Sequence, residues 1–229
     1  MGQPRIFSII DKACYDYKMI EDGDRILVGA SGGKDSTALI EYLYNRKKRL
    51  NSNFVFECVF IKTEFGKPLP PNILSCFEKW NIVLKTIDID IEERSREDKK
   101  LGCYWCSTQR RTELLKYAID NNFNKIALGH HRDDILETIL MNAIEKGCLG
   151  GMPPRLKYEK YPIELIRPLC YVPQDLIIER ANEQDYSGFT CTCNFQDNST
   201  RKIAREKLKV LSDNDEKIKE RLFNAFVKK

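Results

Sequence analysis

The stretch that most constrains this chain is residues 25–36, Arg-Ile-Leu-Val-Gly-Ala-Ser-Gly-Gly-Lys-Asp-Ser. Ile26-Leu27-Val28 reads as a strand buried on both faces, as in a parallel sheet. It enters a glycine loop, and a helical pattern begins at Thr37. Strand, glycine loop and helix together form a phosphate cradle: glycines let an anion approach the backbone, and the first turn of a helix presents unpaired N–H groups and a partial positive charge. Lys34 adds a point charge, and Ser31 and Ser36 add hydroxyls. The loop is not a Walker A motif, which needs four residues between its first glycine and a Gly-Lys-[Ser/Thr] end. Here Asp35 follows Lys34, and Gly29 and Gly33 are too close together.

The rest of the chain alternates strands and helices around this loop. Strand patterns are expected at 54–61, 82–89, 125–129 and 164–169, with helices at 37–48, up to Trp80, and at 108–121, 135–145 and 174–184. Such alternation predicts an α/β fold with a Rossmann-like parallel sheet of about five strands and helices on both faces. Residues 1–22 form an N-terminal amphipathic helix, 23–190 the nucleotide domain, and 191–229 a cysteine loop with two basic helices. The run 92–100 has no apolar member and reads as a mobile loop. Ligands of parallel sheets bind beyond the C-terminal strand ends. The loops at 31–36, after Ile61 and at 129–134 should therefore meet.

Gly129-His130-His131-Arg132-Asp133-Asp134 puts two imidazoles and two carboxylates at that meeting place. This suits Mg²⁺ and phosphate charge, since Mg²⁺ takes one or two carboxylates beside phosphate oxygens. Capping of the next helix by the aspartates is the plainer use. The chain has nine cysteines, an odd number, and its N-terminus lacks a signal-peptide pattern. Both features argue for reduced thiols and a cytoplasmic setting. Cys14, Cys58, Cys76, Cys148 and Cys170 lie in apolar surroundings and read as core. Cys103-x-x-Cys106 and the pair Cys191/Cys193 read as ligands. Four thiolates suit zinc, three suit an iron–sulfur cluster with one open iron, and Cys103 with Cys106 could form a redox pair. Arg110 and Arg111 bring positive charge beside that site.

No stretch is long and apolar enough for a membrane helix. Of the net charge of +4, residues 201–229 carry +5, from ten Lys/Arg and five Asp/Glu, so the remainder is near −1. A basic end suits a polyanion such as RNA, or is only a solvated face.

The hexapeptide Ser31–Ser36 resembles the pyrophosphate loop of the PP-loop ATP pyrophosphatases, whose fold is the adenine nucleotide alpha hydrolase-like one. Several further blocks resemble the tRNA 2-thiocytidine synthetases. These are Cys103-x-x-Cys106 with the two arginines, 129–138, Met152–Leu156 and Ile166-Arg167-Pro168-Leu169, and the likeness runs to about residue 210. It implies an ATP-dependent sulfurtransferase that adenylates O2 of tRNA cytidine 32 and then delivers sulfur. The implied cofactors are ATP, Mg²⁺ and a [4Fe–4S] cluster on Cys103, Cys106 and Cys191, although the family usually spaces the last pair one residue wider, which keeps Cys193 in play. Nucleotide contacts are expected from Ala30, Ser31, Gly32, Gly33, Lys34, Asp35, Ser36, Ile61, Gly129 and His130, and catalytic roles for Lys34, Asp35, Asp134 and Arg110. The implied partners are tRNA, a sulfur donor such as a cysteine desulfurase, and a second copy in a homodimer. A related enzyme with zinc at the cysteines, which uses an amine or thiolates uridine, is the alternative.

Overall fold

A computed structural model describes residues 2–66, 68–94, 102–186 and 200–227, with the side chain of Cys103 excepted. In chain order the elements are α1 (Arg5–Asp16), β1 (Arg25–Gly29), α2 (Lys34–Lys47), β2 (Val55–Thr63), α3 (Pro71–Lys79), β3 (Leu84–Ile89) and α4 (Cys103–Asp120). They continue with β4 (Lys125–Ala127), α5 (Arg132–Lys146), β5 (Arg155–Lys157), β6 (Glu164–Ile166), α6 (Gln174–Glu183), α7 (Thr200–Ser212) and α8 (Glu216–Val227). The described strands form one sheet of order β3-β2-β1-β4-β6-β5, parallel except for β5, which pairs antiparallel with β6.

The five expected strands are present. β5 is the addition: its Arg-Leu-Lys is polar and largely exposed, so it carries none of the burial signal that marks the others.

Alternating side chains of β1 go to opposite faces. Ile26 and Val28 join a core with residues of α1, α2, α3, α5 and α6, while Leu27 joins a second core with Leu114 and Ala118 of α4. Both faces are therefore covered. The N-terminal helix is part of the main core through Ile6, Phe7, Ile10, Ala13 and Cys14. Its Asp11 is pinned by the Tyr42 hydroxyl at 2.8 Å and by Arg46 and Arg49 at 3.2 and 2.8 Å.

The C-terminal helices also pack in, burying Leu208 and Phe223. Arg205 of α7 meets Glu137 of α5 at 2.7 Å, and Lys219 of α8 meets Asp133 at 3.0 Å. Part of the basic charge of this end is thus neutralised internally, while Lys202 and Lys207 stay exposed. Cys14, Cys58, Cys76 and Cys170 are buried as expected, but Cys148 is exposed, because it follows the Gly147 that ends α5 in a left-handed turn. The greater part of the 92–100 run, residues 95–100, lies outside the described residues.

Chain order reverses between β1 and β4: β2 and β3 follow on one side, β6 on the other. The connections leaving these two strands part there and open a crevice at their C-terminal ends.

Candidate active site

The loop after β1 is held by weak internal bonds, Gly33 N donating to Ser31 Oγ at 3.4 Å and Ser31 N to Ser36 Oγ at 3.2 Å. Gly32 has φ +78°, which favours glycine, and Gly33 begins α2 without any side-chain cap. The first-turn N–H groups of α2 are therefore open to an anion. Ser36 turns inward: its Oγ donates to the Gly33 carbonyl at 3.0 Å and lies 3.0 Å from Ser31 Oγ. These bonds hold the shape of the loop. Lys34 Nζ rests on Asp35 Oδ1 at 2.9 Å, a partly exposed pair that costs little to open.

The loop after β4 packs against it. A Cβ on Gly129 would lie 2.8 Å from Ser36 N and 2.9 Å from the Asp35 carbonyl carbon, so only glycine allows this approach. His131 begins α5 and accepts from Asp134 N, while Asp134 Oδ2 accepts from His131 N at 3.1 Å. The cap is thus a histidine, and the aspartate answers from the third helical position. His131 Nε2 also stands 3.4 Å from Asp134 Oδ2 and 4.0 Å from Asp35 Oδ1. One imidazole links a carboxylate from each loop. Burial pushes the Asp134 carboxyl up, but His131, Arg201 and His130 outweigh it and hold it below the ordinary range. Asp133 points elsewhere, to Gln174 N at 3.1 Å and to Lys219. Of the two adjacent aspartates, Asp134 belongs to the site and Asp133 to the scaffold.

A cavity of about 200 Å³ opens beside the loop, lined by Gly29, Ala30, Ser31, Val59, Ile61, Ser107, Arg110, Arg111, Leu114, Leu128 and His130. Ala30, Ser31, Ile61, His130 and Arg110 of the expected site residues are on this wall. Burial pulls the His130 imidazole down to about 4, with Arg167, Arg201 and Arg111 pulling the same way against Asp134. His130 is neutral near pH 7, and its Nδ1 is buried without a hydrogen-bond partner. A larger groove of about 1010 Å³ along α1 shares no residue with this cavity.

α4 supplies the remaining wall and begins at Cys103, so the Cys-x-x-Cys lies on its first turn, not ahead of it. Cys103 and Cys106 are one turn apart along α4. Cys106 packs with Trp105 and Tyr158 on the second core. Residues 191–193 lie outside the described residues, so the third expected ligand, Cys191, is not placed. Among the described residues no group of three or more His, Cys, Asp or Glu is gathered to hold a metal. His131 was expected at the meeting of the loops but not as the helix cap, Arg111 was expected beside the cysteines, and Ser107 was not expected as a site residue. A helix face outside any apolar stripe leaves little trace in sequence.

The profile of the PP-loop domain family matches residues 8–211. The chain is 36% identical over 219 residues to the tRNA-cytidine(32) 2-sulfurtransferase of Polynucleobacter necessarius subsp. necessarius, covering 90% of this chain and 70% of the relative. It is 33% identical over 232 residues to that of Legionella pneumophila, covering 97% and 80%. In fold it is similar to the U34-tRNA thiolase NcsA of Methanococcus maripaludis, solved with its [4Fe–4S] cluster, with a TM-score of 0.77, 19% identity and coverage of 96% and 77%. NMN synthetase from Francisella tularensis is a more distant likeness at TM-score 0.57 and 15% identity, covering 99% and 93%. This chain belongs to the tRNA-cytidine(32) 2-sulfurtransferases, within the PP-loop ATP-binding family.

Proposed function

We propose that the chain converts cytidine 32 of tRNA to 2-thiocytidine in two steps that share one cavity. The observation that carries this is the wall of that cavity: Ser31 of the phosphate loop and Ser107, Arg110 and Arg111 of the cysteine helix line the same space. Activation by ATP and delivery of sulfur then need no long transfer.

In the first step O2 of the cytosine attacks the α-phosphate of ATP, and pyrophosphate leaves. The Gly32 and Gly33 amides, the open first turn of α2 and Lys34 hold the departing charge. Lys34 is drawn from Asp35 to the phosphates. Asp35 and Asp134, linked by His131, would hold Mg²⁺, which would supply neutralisation of phosphate charge. Ala30 and Ile61 flank the nucleoside. Neutral His130 offers a hydrogen bond and no charge.

In the second step a sulfur nucleophile displaces AMP at C2. The donor set fits an iron–sulfur cluster: Cys103 and Cys106 sit at a helix N-terminus, where thiolate charge is favoured, and Arg110 and Arg111 follow on the next turn. With Cys191 as third ligand, a [4Fe–4S] cluster would keep one iron free of protein and so able to carry sulfur. The chain itself positions the base and shields it from water. A cysteine desulfurase would renew the sulfur, a second copy would complete a homodimer, and the tRNA substrate implies the cytoplasm. Exposed Lys202 and Lys207 are available to the RNA backbone.

Anaerobic reconstitution with iron and sulfide, then nucleoside analysis of tRNA incubated with ATP, tests this. We expect 2-thiocytidine only when ATP, tRNA and the cluster are all present. If an intact cluster and ATP yield none, the proposal fails.

A further inference from the structure

Arg167 has no role in what precedes, yet its setting is unusual. It is 6% exposed and directly follows β6, at the C-terminal edge of the sheet. Leu128 N donates to Ile166 O at 3.0 Å, which ties this strand end to the β4 end that leads into Gly129 and His130. The guanidinium donates through Nη1 to the Pro153 carbonyl, and its Nε is buried with no hydrogen-bond partner. Among the described residues no carboxylate lies within ion-pair distance of it. Arg111, on the cavity wall, adds a second positive charge. Burial, with Arg111 reinforcing it, pulls the Arg167 guanidinium down to about 10, so it stays charged near pH 7. A buried charge with no counterion is costly unless an anion arrives from outside. His130 Nδ1, also unpartnered, lies on the same cavity wall.

We propose that Arg167 and Arg111 form the cradle for the α-phosphate of the nucleotide, separate from the 31–36 loop that takes the pyrophosphate. The inference rests on the ATP-dependent reading above. In the second step the sulfur nucleophile brings the electron pair that forms the C2–S bond. The C2–O bond breaks, and its pair goes to the oxygen that leaves with AMP. The phosphate passes from one negative charge to two, and two guanidiniums at that point stabilise the added charge. The loop drives departure of pyrophosphate, and the arginine pair drives departure of AMP.

The test compares AMP with adenosine, by calorimetric titration of the full chain with saturating pyrophosphate, which keeps the AMP phosphate out of the 31–36 loop. In the wild type AMP should bind about tenfold or more tighter than adenosine, the ordinary contribution of charge-assisted hydrogen bonds. Arg167→Gln should reduce that ratio to about twofold or less, with adenosine affinity unchanged, and Arg167→Lys should restore part of it. Arg111→Gln, at an exposed side chain that folding does not need, should reduce the ratio too and reads it even if Arg167→Gln does not fold. A ratio preserved in Arg167→Gln, or in Arg111→Gln where only that variant folds, overturns the proposal. A preserved ratio with weakened tRNA binding assigns the arginines to an RNA phosphate and overturns it equally. Because the titration needs neither tRNA nor sulfur, it stands even if the wild type forms no 2-thiocytidine.

Discussion

Two buried cations sit at opposite ends of the paired strands β4 and β6, and they are treated in opposite ways. At the N-terminal end, the side chain of Lys125, only 3% exposed, meets Asp24 at 2.7 Å and Glu21 at 3.0 Å. Asp24 itself accepts from Asn124 Nδ2 and from Glu21 N, so both of its oxygens are engaged. At the C-terminal end, Arg167 has a single backbone acceptor and no carboxylate among the described residues. The first arrangement is a closed network that fixes where β1 and β4 begin. The second is open, and it lies on the side where the 31–36 and 129–134 loops converge. A buried charge marks a site only when its own chain has not neutralised it.

Breaking the closed end should give the largest effect. Lys125→Met leaves Asp24 buried without its cation, and we expect a loss of about 3 kcal/mol, at the low end for buried pairs because Asp24 keeps two other donors. Urea unfolding measures this. Thiolation per folded molecule should stay within about twofold of wild type, since no candidate site residue touches Lys125. A large loss of activity in the folded fraction would erase the distinction between the two ends.

Next is the open end. Gly129→Ala drives a Cβ into the backbone of Asp35 and Ser36, moving the two loops apart. Displacements of this kind cost on the order of 100-fold in rate, about 2.7 kcal/mol in the barrier. ATP-dependent pyrophosphate release should fall by that factor, while the urea midpoint moves less than in Lys125→Met. Near-normal release would show that the close approach of the loops serves folding alone.

The same contrast explains what was legible in sequence. Loop 31–36 and strands β1 to β4 and β6 stand out because burial and tight turns each demand particular residues. The phosphate loop is a contiguous segment whose glycines and hydroxyls are used locally. The cavity wall is different. Ile61, Ser107 with Arg111, and His130 come from three separate stretches, and only the strand order brings them together. The start of α4 at Cys103 was hidden because Gly102 offers no side-chain cap and Tyr104 is exposed. The roles of Asp133 and Asp134 could not be separated by adjacency. Their difference depends on Lys219, eighty-odd residues on, which claims one of them.

That division supports the smallest prediction. The Asp133 carboxyl is pushed up by burial, but its bond to Lys219 outweighs this and holds it below the ordinary range. A carboxylate lowered in the folded state contributes stability above its unfolded pKa of about 4, and that contribution fades as pH falls below it. Lys219→Ala should therefore cost about 1.5 kcal/mol near neutrality, the scale of one charged hydrogen bond. The deficit should shrink in urea titrations repeated below about pH 4, where the wild type loses the same bond on protonation. Activity at neutral pH should remain within about twofold, because Asp134 takes its contacts from His131 and Arg201 and none from Lys219. If Lys219→Ala instead removed activity at unchanged stability, Asp133 would belong with the open charges of the site, and the line between the two aspartates would have to be redrawn.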